Sequence, residues 1–204
     1  MRENSQPTIT LAFTGASGAP YGLRLLNCLL KSERHVNLVI SKAGQMVLSM
    51  ESELKIPSRP GDAQKYLSSH FNLKSDLLKV YARDDWMAPI ASGTGCTDAM
   101  VICPCTVGTL SAVANGASDN LITRAADVII KEQRKLIMVI RETPLSAIHL
   151  ENMLKLVRIG VTIMPANPGF YQKPNSIADL VDFMVARILD HLSIEHDLVR
   201  KWGS

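Results

Sequence analysis

Short runs of aliphatic and β-branched residues recur along the chain at 8–13, 35–40, 99–103, 135–140 and 161–164, each bounded by Gly, Pro, Ser or Thr. Predominantly apolar, β-branched runs of this length suit strands buried on both faces of a parallel sheet. Between and after them, apolar residues fall at helical spacing over 20–31, 42–50, 106–115, 120–133, 144–159 and 176–192. Strands alternating with helices predict a doubly wound α/β sheet. Pro20 is placed to open the first helix, where its fixed φ helps and its missing N–H costs nothing, and the same logic puts Pro144 at the start of the helix after the fourth strand. The stretch 52–90 has weak periodicity and clustered polar residues, and reads as an excursion between the second and third strands.

Composition narrows the class. The 204 residues are 47% hydrophobic and 20% charged, close to the globular average and far from the signature of disorder, and their length suits one domain over 1–204. A net charge of +3, spread without a basic run, leaves no electrostatic footprint for nucleic acid. No run approaches the ~20 apolar residues of a membrane span. The polar start lacks the pattern of a signal peptide, so the expected location is the cytoplasm. There, Cys28, Cys96, Cys103 and Cys105 are expected to stay reduced. The Cys-Pro-Cys triplet lacks zinc-ligand spacing, and no metal is assigned.

Ligands of open α/β sheets bind beyond the carboxyl ends of the strands, so the loops there carry the candidate chemistry. The first strand leads into Gly15-Ala16-Ser17-Gly18, which suits close approach of an anion to a helix N-terminus, or simply a tight turn. It is not the G-x-G-x-x-G fingerprint, and the second strand ends in Ile40-Ser41-Lys42 without the acidic residue a dinucleotide ribose requires. A flavin mononucleotide or another phosphorylated ligand stays open. Thr106-Val107-Gly108-Thr109 after the third strand offers ligand hydroxyls or an ordinary helix cap, and Ser92-Gly93 upstream is similarly ambiguous. Arg141-Glu142 ends the fourth strand as a pair to be used in chemistry or left at the surface. Arg124, Asp127 and Lys131 share one helical stripe, whose plainest reading is an Asp127–Lys131 surface pair, and Arg187 interrupts an apolar helix face. Trp86, Phe170, Tyr171 and Trp202 could wall an apolar pocket or pack at a subunit contact.

Taken in register, Gly15-Ala16-Ser17-Gly18-Ala19, Ile40-Ser41-Lys42-Ala43, Pro104-Cys105-Thr106, Thr123-Arg124-Ala125-Ala126-Asp127, Arg141-Glu142-Thr143-Pro144-Leu145 and Gly169-Phe170-Tyr171 resemble the UbiX family of flavin prenyltransferases, of the flavin-binding Cys decarboxylase superfamily. The resemblance implies a Rossmann-like (flavodoxin-like) fold in three layers, α/β/α, and a dodecamer with active sites between subunits. It implies transfer of a dimethylallyl group from dimethylallyl monophosphate to N5 and C6 of reduced FMN. The product would be prenylated FMN for a UbiD-type decarboxylase, in ubiquinone biosynthesis or aromatic acid decarboxylation.

By the same resemblance Gly15, Ala16, Ser17, Ser41, Thr106, Val107, Gly108, Thr109 and Arg141 hold FMN. Arg124, Lys131, Tyr171 and Arg187 hold the donor's phosphate with Ser92 and Gly93 nearby, Trp86 and Trp202 line the pocket, and Ser17, Glu51, Glu142 and Lys131 are the catalytic groups. A cationic cradle fits charge developing on a departing phosphate, and with only Asp84-Asp85 as an acidic pair the simpler reading is independent of metal. Thr106 stands where serine is frequent, and Gln172-Lys173 follow Tyr171 where His and Arg are common. The alternatives are an FMN-dependent decarboxylase, like the 3-polyprenyl-4-hydroxybenzoate carboxy-lyases, and a non-catalytic flavin carrier.

Overall fold

A computed structural model describes residues 7–72 and 76–200. Six parallel strands form one sheet: β1 (Thr8–Phe13), β2 (His35–Ile40), β3 (Leu78–Tyr81), β4 (Ala99–Cys105), β5 (Lys135–Ile140) and β6 (Thr162–Pro165). Their order is β3-β2-β1-β4-β5-β6, so the winding reverses between β1 and β4 and opens a crevice at the carboxyl ends of those two strands. The helices are α1 (Ala19–Lys31), α2 (Lys42–Glu51), α3 (Pro60–His70), α4 (Val107–Ala114), α5 (Leu121–Lys131), α6 (Ala147–Val157) and α7 (Ile177–His191).

Alternation along each strand feeds two cores. Leu11 and Phe13 of β1 and Val101 of β4 pack with Leu25 and Leu29 of α1 and Val185 and Leu189 of α7, and α2 and α3 add Leu48 and Leu67 to this side. Ala12, Met100, Ile102 and Met138 face the other way, onto α4, α5 and α6. The three-layer Rossmann-like expectation therefore holds. Arg24 of α1 forks onto both oxygens of Asp182 of α7, at 2.6 and 3.0 Å, and pins those helices together.

The stretch 52–90 is not an excursion but carries α3 and the edge strand β3. Both signals are weak for physical reasons: β3 has four residues and exposes Lys79, while α3 buries only Ala63, Leu67 and Ser68. Pro20 stands in the first turn of α1 as expected, but Pro144 does not open α6. Ser146 caps that helix instead, its hydroxyl accepting the His149 N–H while the His149 ring accepts the Ser146 N–H. Pro144, after a cis peptide bond, belongs to the loop before it. The third predicted strand runs two residues further, through a cis Cys103–Pro104 bond and a register shift, so Cys103 and Cys105 face opposite cores. Burial pushes both thiols far up, and all four cysteines are free. No helix among the described residues is long and apolar enough to cross a membrane.

Candidate active site

Thr14, the first residue after β1, ties the two walls of the crevice together. Its hydroxyl donates to Pro104 O at 2.8 Å and accepts the Thr106 N–H at 2.9 Å, and its own N–H donates to Pro104 O at 3.2 Å. Sequence reading passed over it; the only signal was a threonine closing an apolar strand, which at 3% exposure needs partners for its hydroxyl. Beside it Gly15 lies so close to α2 that a Cβ there would stand 2.5 Å from the Ala43 Cβ. Gly18, at φ 121°, makes the left-handed turn into α1.

Two helices begin at this edge with hydroxyl caps. Ser41 Oγ accepts the Gly44 N–H at 2.9 Å, and Thr106 Oγ1 accepts the Thr109 N–H at 3.0 Å while donating to Thr109 Oγ1 at 2.9 Å. Thr106 is thus a helix cap, whatever else it touches. Gly108 is exposed, and a Cβ built on it would meet nothing nearer than Thr106 Oγ1 at 3.8 Å, so the start of α4 is open to an anion.

The start of α1 is already engaged. Glu51, the last residue of α2, accepts the N–H groups of Gly18 and Ala19 at 2.8 and 2.9 Å and a hydrogen bond from the Ser17 side chain. Partial burial would raise its pKa, but those bonds, with the field of Arg141, outweigh it and hold the carboxyl below its ordinary value. Ser17 and Glu51 form one ionised, hydrogen-bonded unit, with the Arg141 guanidinium close enough for its charge to be felt. Arg141, through its N–H to Cys105 O at 3.3 Å, and half-buried Glu142 continue the rim from β5. Both line a cavity of about 340 Å³ with Pro144, Met153 and Asn167.

The remaining candidates form two groups away from this rim. On α5, Arg124 donates to Ala91 O at 2.9 Å and to Asp127 Oδ2 at 3.0 Å, and Lys131 pairs with Glu132. The Asp127–Lys131 pair expected from spacing is replaced by these two. Gly93 lies against Lys131, since a Cβ there would fall 2.9 Å from Nζ, and the Ser92 hydroxyl bonds that of Thr94 at 3.1 Å. The second group is on α7, where Tyr171 meets the Phe183 ring edge to face at 5.6 Å and Arg187 follows one turn later. Because α5 and α7 pack on opposite faces of the sheet, Arg124 and Lys131 do not meet Arg187 within one chain. Trp86 is 49% exposed on the loop after β3, and Trp202 lies outside the described residues.

Comparison with known proteins establishes the family. The chain matches the Flavoprotein family over residues 1–189. It is 55% identical to flavin prenyltransferase UbiX of Pseudomonas aeruginosa over 195 residues, 96% of this chain and 93% of that protein. It is 42% identical to the protein of that name from Methanocaldococcus jannaschii, covering 96% and 98%. Among solved structures, AnUbiX (PadA1) in complex with FMN and dimethylallyl pyrophosphate superposes with a TM-score of 0.87 at 36% identity, over 98% of this chain and 99% of that one. A dodecameric FMN-dependent UbiX-like decarboxylase from Escherichia coli O157:H7 gives 0.85 at 37% identity, covering 97% and 100%. Fold and crevice define a flavoprotein of the doubly wound α/β class. Within that class the chain belongs to the UbiX flavin prenyltransferase family, and it is a transferase.

Proposed function

We propose that this chain, acting as one flavoprotein domain in the cytoplasm, transfers a dimethylallyl group from dimethylallyl monophosphate to N5 and C6 of reduced FMN. Its product, prenylated FMN, would serve a UbiD-type decarboxylase. The observation that carries the reading is the Ser17–Glu51 unit at the mouth of the β1/β4 crevice, with Arg141 and Glu142 on the adjoining rim.

The crevice suits FMN. Gly15 packs its loop directly against α2, Gly108 leaves the start of α4 open to a phosphate, and Ser41, Thr106 and Thr109 offer hydroxyls. Reduced FMN supplies the electron-rich N5 that the allylic carbon requires. Gly15 to Ser17 and Arg141 orient the ring system, and Trp86 excludes water from the five-carbon unit. Arg124, Lys131, Tyr171 and Arg187, with Ser92 and Gly93, bind the donor's phosphate and stabilise charge as its carbon–oxygen bond breaks. Lys131 also hands that phosphate a proton. Ionised Glu51, bonded to Ser17, is a proton acceptor, and Glu142 holds or moves the second proton that ring closure demands.

Because α5 and α7 lie on opposite faces, the phosphate site is completed by other copies of the chain. The dodecameric E. coli relative supports a homo-oligomer of that kind. The test is anaerobic incubation with reduced FMN and dimethylallyl monophosphate or diphosphate, followed by mass spectrometry of the released flavin. A flavin heavier by one prenyl unit, lost on Arg124→Ala, is the expected result. Unmodified FMN from flavin-binding protein with both donors, or carbon dioxide released directly from an aromatic acid, would refute it.

A further inference from the structure

Arg187 does not stand alone on α7. Its Nη1 donates to Asp190 Oδ2 at 2.6 Å, one turn on, and the other oxygen of that carboxylate, Oδ1, meets Nε2 of His196 at 3.1 Å. An isolated surface pair at this spacing would contribute little, because both partners are free to swing into water. Here the far end is fixed: the His196 side chain is only 12% exposed, and its buried Nδ1 has no hydrogen-bond partner among the described residues. A proton on Nδ1 would be stranded there. The tautomer that fits carries its proton on Nε2, donates to Asp190 and leaves only a lone pair facing the interior. The imidazole therefore orients the carboxylate, and the carboxylate orients the guanidinium.

We infer that Asp190 and His196 are positioning residues for donor binding: His196 fixes Asp190, and Asp190 holds Arg187 in the one geometry that meets the prenyl phosphate. The inference rests on the reading that Arg187 binds that phosphate. Preorganising a flexible arginine lowers the entropy lost when its ligand arrives, so the effect belongs in donor affinity rather than in the chemical step.

The experiment is steady-state kinetics of the full-length protein with reduced FMN, varying dimethylallyl monophosphate, with FMN affinity measured in parallel. Asp190→Asn should raise KM for the donor by roughly tenfold, the scale of one charge-assisted hydrogen bond, with kcat within about twofold and FMN affinity unchanged. His196→Leu should reproduce the rise, and His196→Gln, which keeps an N–H for Asp190, should largely restore the native KM. Arg187→Ala separates the two layers. If it leaves KM unchanged, the phosphate reading itself falls. If it raises KM while Asp190→Asn and His196→Leu do not, the relay is refuted, as it also is by loss of kcat and FMN affinity together, the mark of a merely structural role. Should Asp190→Asn fail to fold, the contrast between His196→Leu and His196→Gln decides.

Discussion

Replacing Thr14 by valine keeps the shape of the side chain and removes one hydroxyl. Two hydrogen bonds go with it, one buried and one part-buried, and their loss is unequal. Pro104 O still accepts the Thr14 N–H at 3.2 Å, whereas the Thr106 N–H, which donates to Thr14 Oγ1 at 2.9 Å, is left without that acceptor beside β4. A net hydrogen bond contributes about 1 kcal/mol and stranding a fully buried donor costs about 1–3 kcal/mol; the Thr106 N–H is part-buried and takes the lower half of that range, so the expected destabilisation is about 2–3 kcal/mol. Thr14→Ser keeps the hydroxyl and should lose under about 1 kcal/mol, the scale of one methylene. Urea denaturation at fixed protein concentration reads the stability, and flavin fluorescence titration reads the crevice. Because Thr14 joins the loop carrying Gly15 to Ser17 to the loop carrying Thr106, the valine variant should also bind FMN more weakly, and serine should rescue both readouts. A Thr14→Val protein within about 0.5 kcal/mol of the native one, with unaltered FMN affinity, would show that the observed bonds do not hold the site, since surface-like changes fall in that range.

Three further outcomes follow from the same geometry. Glu142→Gln should stall prenyl transfer, by about a hundredfold or more for a lost proton-transfer group, while FMN stays bound; unchanged turnover removes Glu142 from the chemistry. Glu51 has a folded pKa below its ordinary value of 4.5, so its stabilisation is fully present above that value and is lost as pH falls through the lowered one. Acid titration should accordingly show Glu51→Gln losing less stability than the native protein over that interval, and parallel curves would contradict the assignment. Gly22→Ala places a Cβ 2.5 Å from Cys103 O and 2.7 Å from the Phe13 ring, so thermal denaturation should report about 1–3 kcal/mol of overpacking, whereas a neutral result would mean that α1 shifts freely.

The sequence made the buried strands and amphipathic helices readable because each satisfies a strong local rule. β5 is a continuous apolar run from Leu136 to Ile140, β1 and β2 are dominated by aliphatic and β-branched residues, and α7 buries Val181, Met184, Val185, Ile188 and Leu189 at helical intervals. It hid β3, which is short and lies at an edge, and it misplaced the start of α6, where a capping box at Ser146 outcompeted a proline two residues earlier. At the site, motif spacing found the loops that carry Ser17, Ser41 and Thr106. It did not show that Glu51 takes the N–H groups at the start of α1, because that contact joins the end of one helix to the beginning of another and leaves no periodic trace.

The separation of the cations was hidden for a topological reason. Right-handed crossovers that run from β1 toward β2 and β3 put their helices on one face of the sheet, and those that run from β4 toward β5 and β6 put theirs on the other. The face of α5, and with it Arg124 and Lys131, is therefore dictated once the strand order is known. No crossover rule governs α7, which follows the last strand and returns to none. Its apolar stripe and the Arg24–Asp182 fork settle it against α1, on the face opposite α5. That placement carries Arg187 away from the other two cations and makes a second copy of the chain necessary for the proposed phosphate site. Breaking the fork with Asp182→Ala should therefore loosen α7 and weaken donor binding while the Ser17–Glu51 unit and FMN affinity stay intact. Equal loss of donor and flavin affinity would refute the separation of Arg187 on α7 from the flavin site.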